Sequence, residues 1–361
     1  MLQPYAVENL RVGMKVGREV SDMDGMLLSA GTILDQKMID VLSERMVFLV
    51  YIDESGPAVE IPGKEHLVDN DYADTYKLAY SRIRKLLNST AETGELDEKL
   101  LISIEDTVMK RMANGARAVT QIHNMERSGE YLYHHSLHVA ILAALMGEWL
   151  GWKAAQKREL VGGALLHDLG KLRIDPALLN KKEPLSDEEF RLIKQHPEFG
   201  VEMIDWDGLG NKFVHKGLMG CILEHHERCN GSGYPQGLRH NEISPFGRVL
   251  GILDIYDAMA SDRVFAHRHS PFEVFKILED DMSTGKLDPE YTVIFMRQIC
   301  RDMIGNWVEL SNGDKGRIVY IAESRVTSLP LVQTIKDEFI DLNARTDLHI
   351  VSILTANEVG E

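Results

Sequence analysis

The sequence predicts a mainly α-helical protein with a small α/β unit at its N-terminal end and a short β-rich segment at its C-terminal end. Three observations carry that prediction. Apolar residues recur at helical spacing from about Tyr72 to Ile304; before residue 55 the chain alternates in short, turn-punctuated segments; after Ile304 it breaks into brief β-branched runs. The expected division is an α/β unit over 1–55, a linker over 56–71, a helical domain over 72–304 and a β-rich appendage over 305–361.

In the first unit, alternating segments around Met14–Val20 and Met26–Leu28 flank Met23-Asp24-Gly25, a hairpin-turn composition. A periodic stretch from Asp35 to Met46 predicts a helix capped by Asp35, and Val47–Ile52 a short buried strand. Gly56-Pro57 and Pro62-Gly63 punctuate the linker. In the helical part, Leu78, Ile83, Leu86 and Leu87 suit one apolar face, while Ala140–Leu150, Leu160–Leu166, Val249–Ala260 and Val274–Leu278 suit buried or half-buried helices. Between Asp168 and Ser186, and between Cys229 and Pro245, the pattern breaks into loops that each follow a histidine-rich helix end. Trp307–Leu310, Gly316–Ile321 and His349–Leu354 predict strands, with Asn312-Gly313 as a turn.

Composition narrows the functional classes. Forty Lys and Arg against 56 Asp and Glu give a net charge of −16 over 361 residues. That sign argues against a nucleic-acid polymer as partner, because such binding depends on neutralising phosphates with Lys and Arg. A small anionic ligand remains compatible, since a metal centre reverses the field inside one pocket. Residues 1–75 alone hold 14 acidic against 6 basic residues, half of the net charge. Cys221, Cys229 and Cys300 form no C-x-x-C pair, so neither a disulfide framework nor a thiolate zinc site is expected. No run of 18 apolar residues and no basic-then-apolar leader occurs, which predicts a cytoplasmic protein without a membrane span.

The 14 histidines are the chemical signal. Isolated ones such as His134, His138, His215, His240, His267 and His269 have no special context and read as structural or surface residues. The pairs differ. His167-Asp168 ends an apolar helix just before Gly170, and His225-His226 ends another before a glycine-rich loop. Burying such pairs without partners is costly, and a metal ion removes the cost. Adjacent helical residues point about 100° apart, so one pair can serve two neighbouring ions and Asp168 can bridge them. With His135, His196 and Asp254, seven nitrogen or oxygen ligands are available, and Lys171 faces the same pocket if the turn after Asp168 stays helical.

These residues carry a family resemblance. His167-Asp168-Leu169-Gly170-Lys171 resembles the H-D-x-G-K signature of the HD phosphohydrolase superfamily. The run from His225-His226-Glu227 to Gly231-Ser232-Gly233-Tyr234-Pro235 resembles the signature of its HD-GYP branch. His135-Ser136, His196-Pro197 with Gly200, and Asp254-Ile255-Tyr256-Asp257 match the flanking motifs in order, so the likeness covers about 130–300. The resemblance implies an HD-superfamily helical bundle holding two or three ions, commonly iron or manganese, that hydrolyses cyclic di-GMP. Carried over by motif, His135, His167, Asp168, His196, His225, His226 and Asp254 are the metal ligands, with Asp168 bridging. Asp168 and Lys171 are the catalytic pair, Lys171 stabilising the developing charge; Gly233, Tyr234, Pro235 and Arg263 contact substrate.

Two departures matter. Trinuclear members carry a Glu four residues before the first ligand His, where this chain has Tyr131, so two divalent ions, Fe or Mn, are expected. The usual R-P-Y-[KR] run reads Arg263-Val264-Phe265-Ala266, which keeps one phosphate-binding base and loses the other. The implied reaction is hydrolysis of cyclic di-GMP to linear pGpG, and onward to GMP, by a hydroxide bridging the two ions. Two other readings stand beside it: an HD-type hydrolase of another cyclic dinucleotide, and a weakly active cyclic di-GMP sensor acting through a protein partner of residues 1–55. A homodimer is compatible with each.

Overall fold

The computed structural model describes residues 2–18, 20–22, 25–28, 31–34, 36–44, 47, 49–53, 70–113, 118–119, 130–209, 215–260, 270–322, 328–336 and 338–354. Strand β1 (Leu2–Ala6) pairs antiparallel with the strand that closes the first unit, Leu49–Asp53 (β4), placing Leu2 opposite Asp53. Between them lie a hairpin of β2 (Val20–Asp22) and β3 (Gly25–Leu28) and helix α1 (Gln36–Glu44). The hairpin falls where expected, although Met23, Asp24 and the proposed cap Asp35 lie outside the described residues. Within the expected Met14–Val20 segment, Val20 opens β2 while residues 14–18 make only isolated bridges: Val16 N–H donates to Thr32 and Gly17 N–H to Tyr51, so their bonds go to two different segments and no ladder propagates there. Val7, Leu10, Val16, Leu34, Leu42, Val50 and Ile52 form a small core of their own.

Helix α2 (Asn70–Thr93) starts the helical part. Its buried stripe is Tyr72, Tyr76, Ala79, Ile83, Leu86 and Leu87; Leu78 is 47% exposed, because five residues of helix carry it well off the Ile83 face. Helix α3 (Glu98–Thr107) begins at Asp97, whose carboxylate accepts from Leu100 N–H at 3.0 Å. The central helix α4 (Tyr131–Trp149) is buried at every position from Tyr133 to Gly147. A helix apolar all round belongs in the middle of a bundle, and α4 is covered by α2, α5 (Ala154–Leu166), α10 (Pro245–Ala260) and α12 (Pro289–Met303). A single 3-10 turn, Leu169–Arg173, follows α5, and then come α6 (Pro176–Leu179), α7 (Asp187–Ile193), α8 (His196–Glu202), α9 (His215–Glu224) and, after α10, α11 (Pro271–Ser283). Gly170 is what lets α8 reach the turn: a Cβ there would collide with the His196 carbonyl. No helix of the described residues is long and apolar enough to cross a membrane.

Five antiparallel strands end the chain in the order β8-β7-β6-β5-β9. They are β5 (Trp307–Leu310), β6 (Lys315–Ile321), β7 (Pro330–Thr334), β8 (Phe339–Asp341) and β9 (Ile350–Leu354). The buried face of this sheet, including Val308, Leu310, Ile318, Val332 and Ile353, joins the same apolar cluster as the helices, with α12 packed on β6.

Candidate metal centre

Five helical elements deliver seven side chains to one point. His135 stands on α4, His167 caps the C-terminal end of α5 with Asp168 next, His196 opens α8, His225-His226 follow α9, and Asp254 lies on α10. Three overlapping sets have ligand atoms within 4.8 Å of one another: His135, His167 and Asp254; His196, His225 and His226; His167, Asp168 and His225. Asp168 sits between the two halves. Its Oδ2 lies 3.7 Å from His135 Nε2 and 3.5 Å from His167 Nε2, while its Oδ1 lies 3.4 Å from His196 Nε2 and 3.9 Å from His225 Nε2. Asp254 reaches His135 Nε2 at 3.0 Å and His226 Nδ1 at 3.7 Å.

The proton positions follow from the outer partners. His167 Nδ1 donates to the Ala164 carbonyl and His196 Nδ1 to Ile193, each at 2.8 Å; His225 Nδ1 donates to Cys221 and Ile222, both at 3.0 Å. A neutral imidazole donating through Nδ1 has a bare lone pair at Nε2. Those lone pairs point inward: His196 Nε2 and His225 Nε2 are 3.2 Å apart, and His167 Nε2 lies 3.3 Å from His135 Nε2. The buried Asp168 Oδ1 has no hydrogen-bond partner among the described residues. Facing acceptors around an orphaned carboxylate oxygen are costly when unpaired and become ligands once cations stand between them. The residues present therefore fit metal ions with nitrogen and oxygen ligation.

Charge balance agrees. Burial holds His167, His225 and His226 below the ordinary imidazole range, and burial together with the Lys171 ammonium brings His196 down to about 4, so these stay neutral as ligation requires. Burial would raise Asp168, but the Lys171 ammonium leads the charges that outweigh it and keep the carboxyl ionised. His135 is the exception: burial alone would lower it, yet hydrogen bonds to Asp254 and Asp257 lift it to about 9.

Lys171 lies in the 3-10 turn with Nζ 2.6 Å from Asp168 Oδ2, in the pocket where continued helical winding would put it. Tyr234 stacks on His226 with ring centroids 4.6 Å apart, and the Lys194 ammonium lies 5.2 Å from the Tyr234 centroid and 4.5 Å from that of Phe190. Gly233 runs against the backbone of Glu227 and Arg228 so closely that a Cβ would clash, and the Tyr234–Pro235 peptide is cis. Arg263 and Ala266 lie outside the described residues.

Sequence reasoning missed four contributors. The Glu227 carboxylate accepts three backbone N–H groups, from Gln236 (2.6 Å), Gly237 (3.1 Å) and Leu238 (2.9 Å), and so ties down the Gly233-Tyr234-Pro235 loop. Tyr131 stacks on His135 at 5.2 Å, while its neighbour Glu130 turns outward to Arg84. Asp257 holds His135 Nδ1 at 2.7 Å and His138 Nδ1 at 3.1 Å, so His138 is a buried support rather than an isolated histidine. The available signal was spacing: Asp257 follows Asp254, and His138 follows His135, by three residues on one helical face.

A helical bundle that converges buried imidazoles and carboxylates on a bridging aspartate defines a metal-binding protein whose ligands come from all along the bundle. The HD domain family matches residues 82–291, more than half of the chain, and the chain belongs to that family, in its HD-GYP branch. Among curated proteins, the cyclic di-GMP phosphodiesterase PA4108 of Pseudomonas aeruginosa is 30% identical over 214 residues, 59% of this chain and 50% of that one. A cyclic di-GMP phosphodiesterase of Thermotoga maritima is 32% identical over 166 residues, 46% of this chain and 44% of its own length. The 3'3'-cGAMP-specific phosphodiesterase 1 of Vibrio cholerae is 25% identical over 243 residues, 64% of this chain and 51% of that protein. The chain spans about half the length of these curated relatives. Among solved structures, Bd1817, an HDG"Y"P protein from Bdellovibrio bacteriovorus, shares the fold with a TM-score of 0.52 at 20% identity, covering 83% of this chain and 99% of that one.

Proposed function

We propose that this chain is a metal-dependent phosphodiesterase that hydrolyses cyclic di-GMP to linear pGpG, and onward to GMP, using two divalent ions of iron or manganese. The observation that carries the reading is Asp168, whose two oxygens face two separate groups of histidines while Lys171 lies against one of them. One ion would be held by His135, His167 and Asp254, the other by His196, His225 and His226, with Asp168 shared. Tyr131, stacked on His135 where a trinuclear site needs a carboxylate, supports two ions rather than three. The separate apolar core of the first 53 residues supports reading 1–55 as an accessory unit, ahead of a linker over 56–71, the catalytic helices over 72–304 and the β-rich segment over 305–361.

When bound, such ions polarise phosphoryl oxygens and acidify a water. The chain's own groups do the rest. Water adds to one phosphorus and the P–O3′ bond breaks, leaving a 5′-phosphate on one nucleoside and a 3′-hydroxyl on the other. Lys171 neutralises charge that builds on the phosphoryl oxygens. The Tyr234 ring and the Lys194 ammonium form a rim beside His226 that suits a base and the second phosphate of a cyclic dinucleotide. A second reading, hydrolysis of 3'3'-cGAMP, is favoured by the Vibrio cholerae relative.

The test is metal content of anaerobically purified protein together with product analysis on cyclic di-GMP, 3'3'-cGAMP and cyclic di-AMP. Two ions per chain and pGpG from cyclic di-GMP are expected. Faster turnover of 3'3'-cGAMP selects the second reading; binding without turnover of any of the three leaves a sensor.

A further inference from the structure

A buried chain of hydrogen bonds leaves the metal centre through the outer nitrogen of His135 and ends on α2. His135 Nδ1 donates to Asp257 Oδ2 at 2.7 Å, and Asp257 Oδ1 accepts from His138 Nδ1 at 3.1 Å. The other ring nitrogen of His138, Nε2, lies 2.7 Å from the Tyr76 hydroxyl, which also meets His134 Nδ1 at 2.8 Å. Tyr76, His134, His138 and Asp257 are all buried.

Asp257 sets the direction of the two bonds made to it. An ionised carboxylate has acceptors only, so both imidazoles must present N–H to Asp257. A neutral His138 then has a bare Nε2, the Tyr76 O–H donates to it, and His134 Nδ1–H donates into the Tyr76 oxygen. At the inner end His135 Nε2, the nitrogen that would give up its proton to bind an ion, lies 3.0 Å from Asp254 and 3.7 Å from Asp168. Carboxylates that hold the outer N–H of a ligating histidine fix its tautomer and ring pose. Here the support has an outer layer of its own, and Tyr76 precedes residue 82, where the match to the HD domain begins.

We propose that Tyr76 is a positioning residue of the metal centre, its hydroxyl acting through His138 and Asp257 to aim His135 at the ion. The proposal rests on the metal-centre reading and is independent of the substrate. A role in packing alone would need the Tyr76 ring, which lies against His134 and His138, and not its hydroxyl.

The test is titration of the metal-free full chain with Mn2+, read by electron paramagnetic resonance of the free and bound ion, with Tyr76→Phe, Asp257→Asn and Tyr133→Phe alongside. Tyr133→Phe is the control, because it also deletes a hydroxyl bond between α4 and α2, to Asn88 at 2.9 Å, but lies off the chain. Asp257→Asn is expected to weaken Mn2+ binding by about 10–100-fold. Tyr76→Phe, one step further out, is expected to weaken it by about three- to tenfold and change the bound-ion spectrum, with Tyr133→Phe like the parent. Parental binding by Tyr76→Phe, or equal loss in Tyr76→Phe and Tyr133→Phe, overturns the relay while leaving the metal centre standing. A parent chain that binds no Mn2+ overturns both.

Discussion

Glu105 should make the stability of the bundle fall as pH rises. It lies on α3 against α5, the helix that ends in His167-Asp168, with its side chain fully excluded from solvent. Arg158 donates to its Oε2 at 2.9 Å, but its buried Oε1 has no hydrogen-bond partner among the described residues. Burial pushes its carboxyl from 4.5 to about 7, with Arg158 opposing the rise only in part. The folded chain thus holds this proton more tightly than the unfolded chain does. Its contribution is complete below pH 4.5, declines as pH rises, and is gone above about 7. The span corresponds to roughly 3 kcal/mol at 1.36 kcal/mol per unit. Glu105→Gln keeps the shape and removes the titration. Urea unfolding of the full chain at pH 5 and pH 8, with chelator present, should show the parent losing about 2.5 kcal/mol more than the variant between the two. Equal pH dependence in both proteins would mean that Glu105 is ionised throughout, and the assignment would be wrong.

At the centre, Asp168→Ala and His167→Ala should abolish hydrolysis and lose metal on elemental analysis, whereas Lys171→Ala should keep the metal and lose about 100-fold or more in kcat, in line with removal of a charge-stabilising group. Loss of metal in Lys171→Ala would refute its separate role. Lys194→Ala should raise KM for cyclic di-GMP about tenfold with kcat little changed, the size of one charge-assisted contact; an unchanged KM in steady-state kinetics rules out the rim. Ala266→Lys should lower KM and Arg263→Ala raise it by about tenfold or more, and if neither moves KM the second phosphate is held elsewhere.

The bundle and the seven side chains gathered at its centre were legible because both depend on short-range pattern. A helix buried all round, such as α4, must be apolar all round, and a histidine pair at the end of an apolar helix has few inexpensive explanations. What stayed hidden depends on partners far along the chain. Asp257 and His138 gain meaning only when α10 lies beside α4, and Tyr76 only when α2 crosses them; 62 residues separate Tyr76 from His138. Glu227 looks like any surface carboxylate until the loop after it folds back and offers three N–H groups. Strands β7 and β8 escaped because one begins at Pro330 and the other has three residues, too few for alternation to register.

The residues that meet at the candidate centre come from widely separated parts of the chain. His135 and Asp254 touch although they stand 119 positions apart in the sequence, and the half of the centre that includes Asp254 has its partners only once α10 has docked. Contacts of such long separation form late, after the closure entropy of the intervening chain has been overcome. A cation held there would tie together helices that lie far apart in the sequence, and would stabilise the docked bundle by binding it alone.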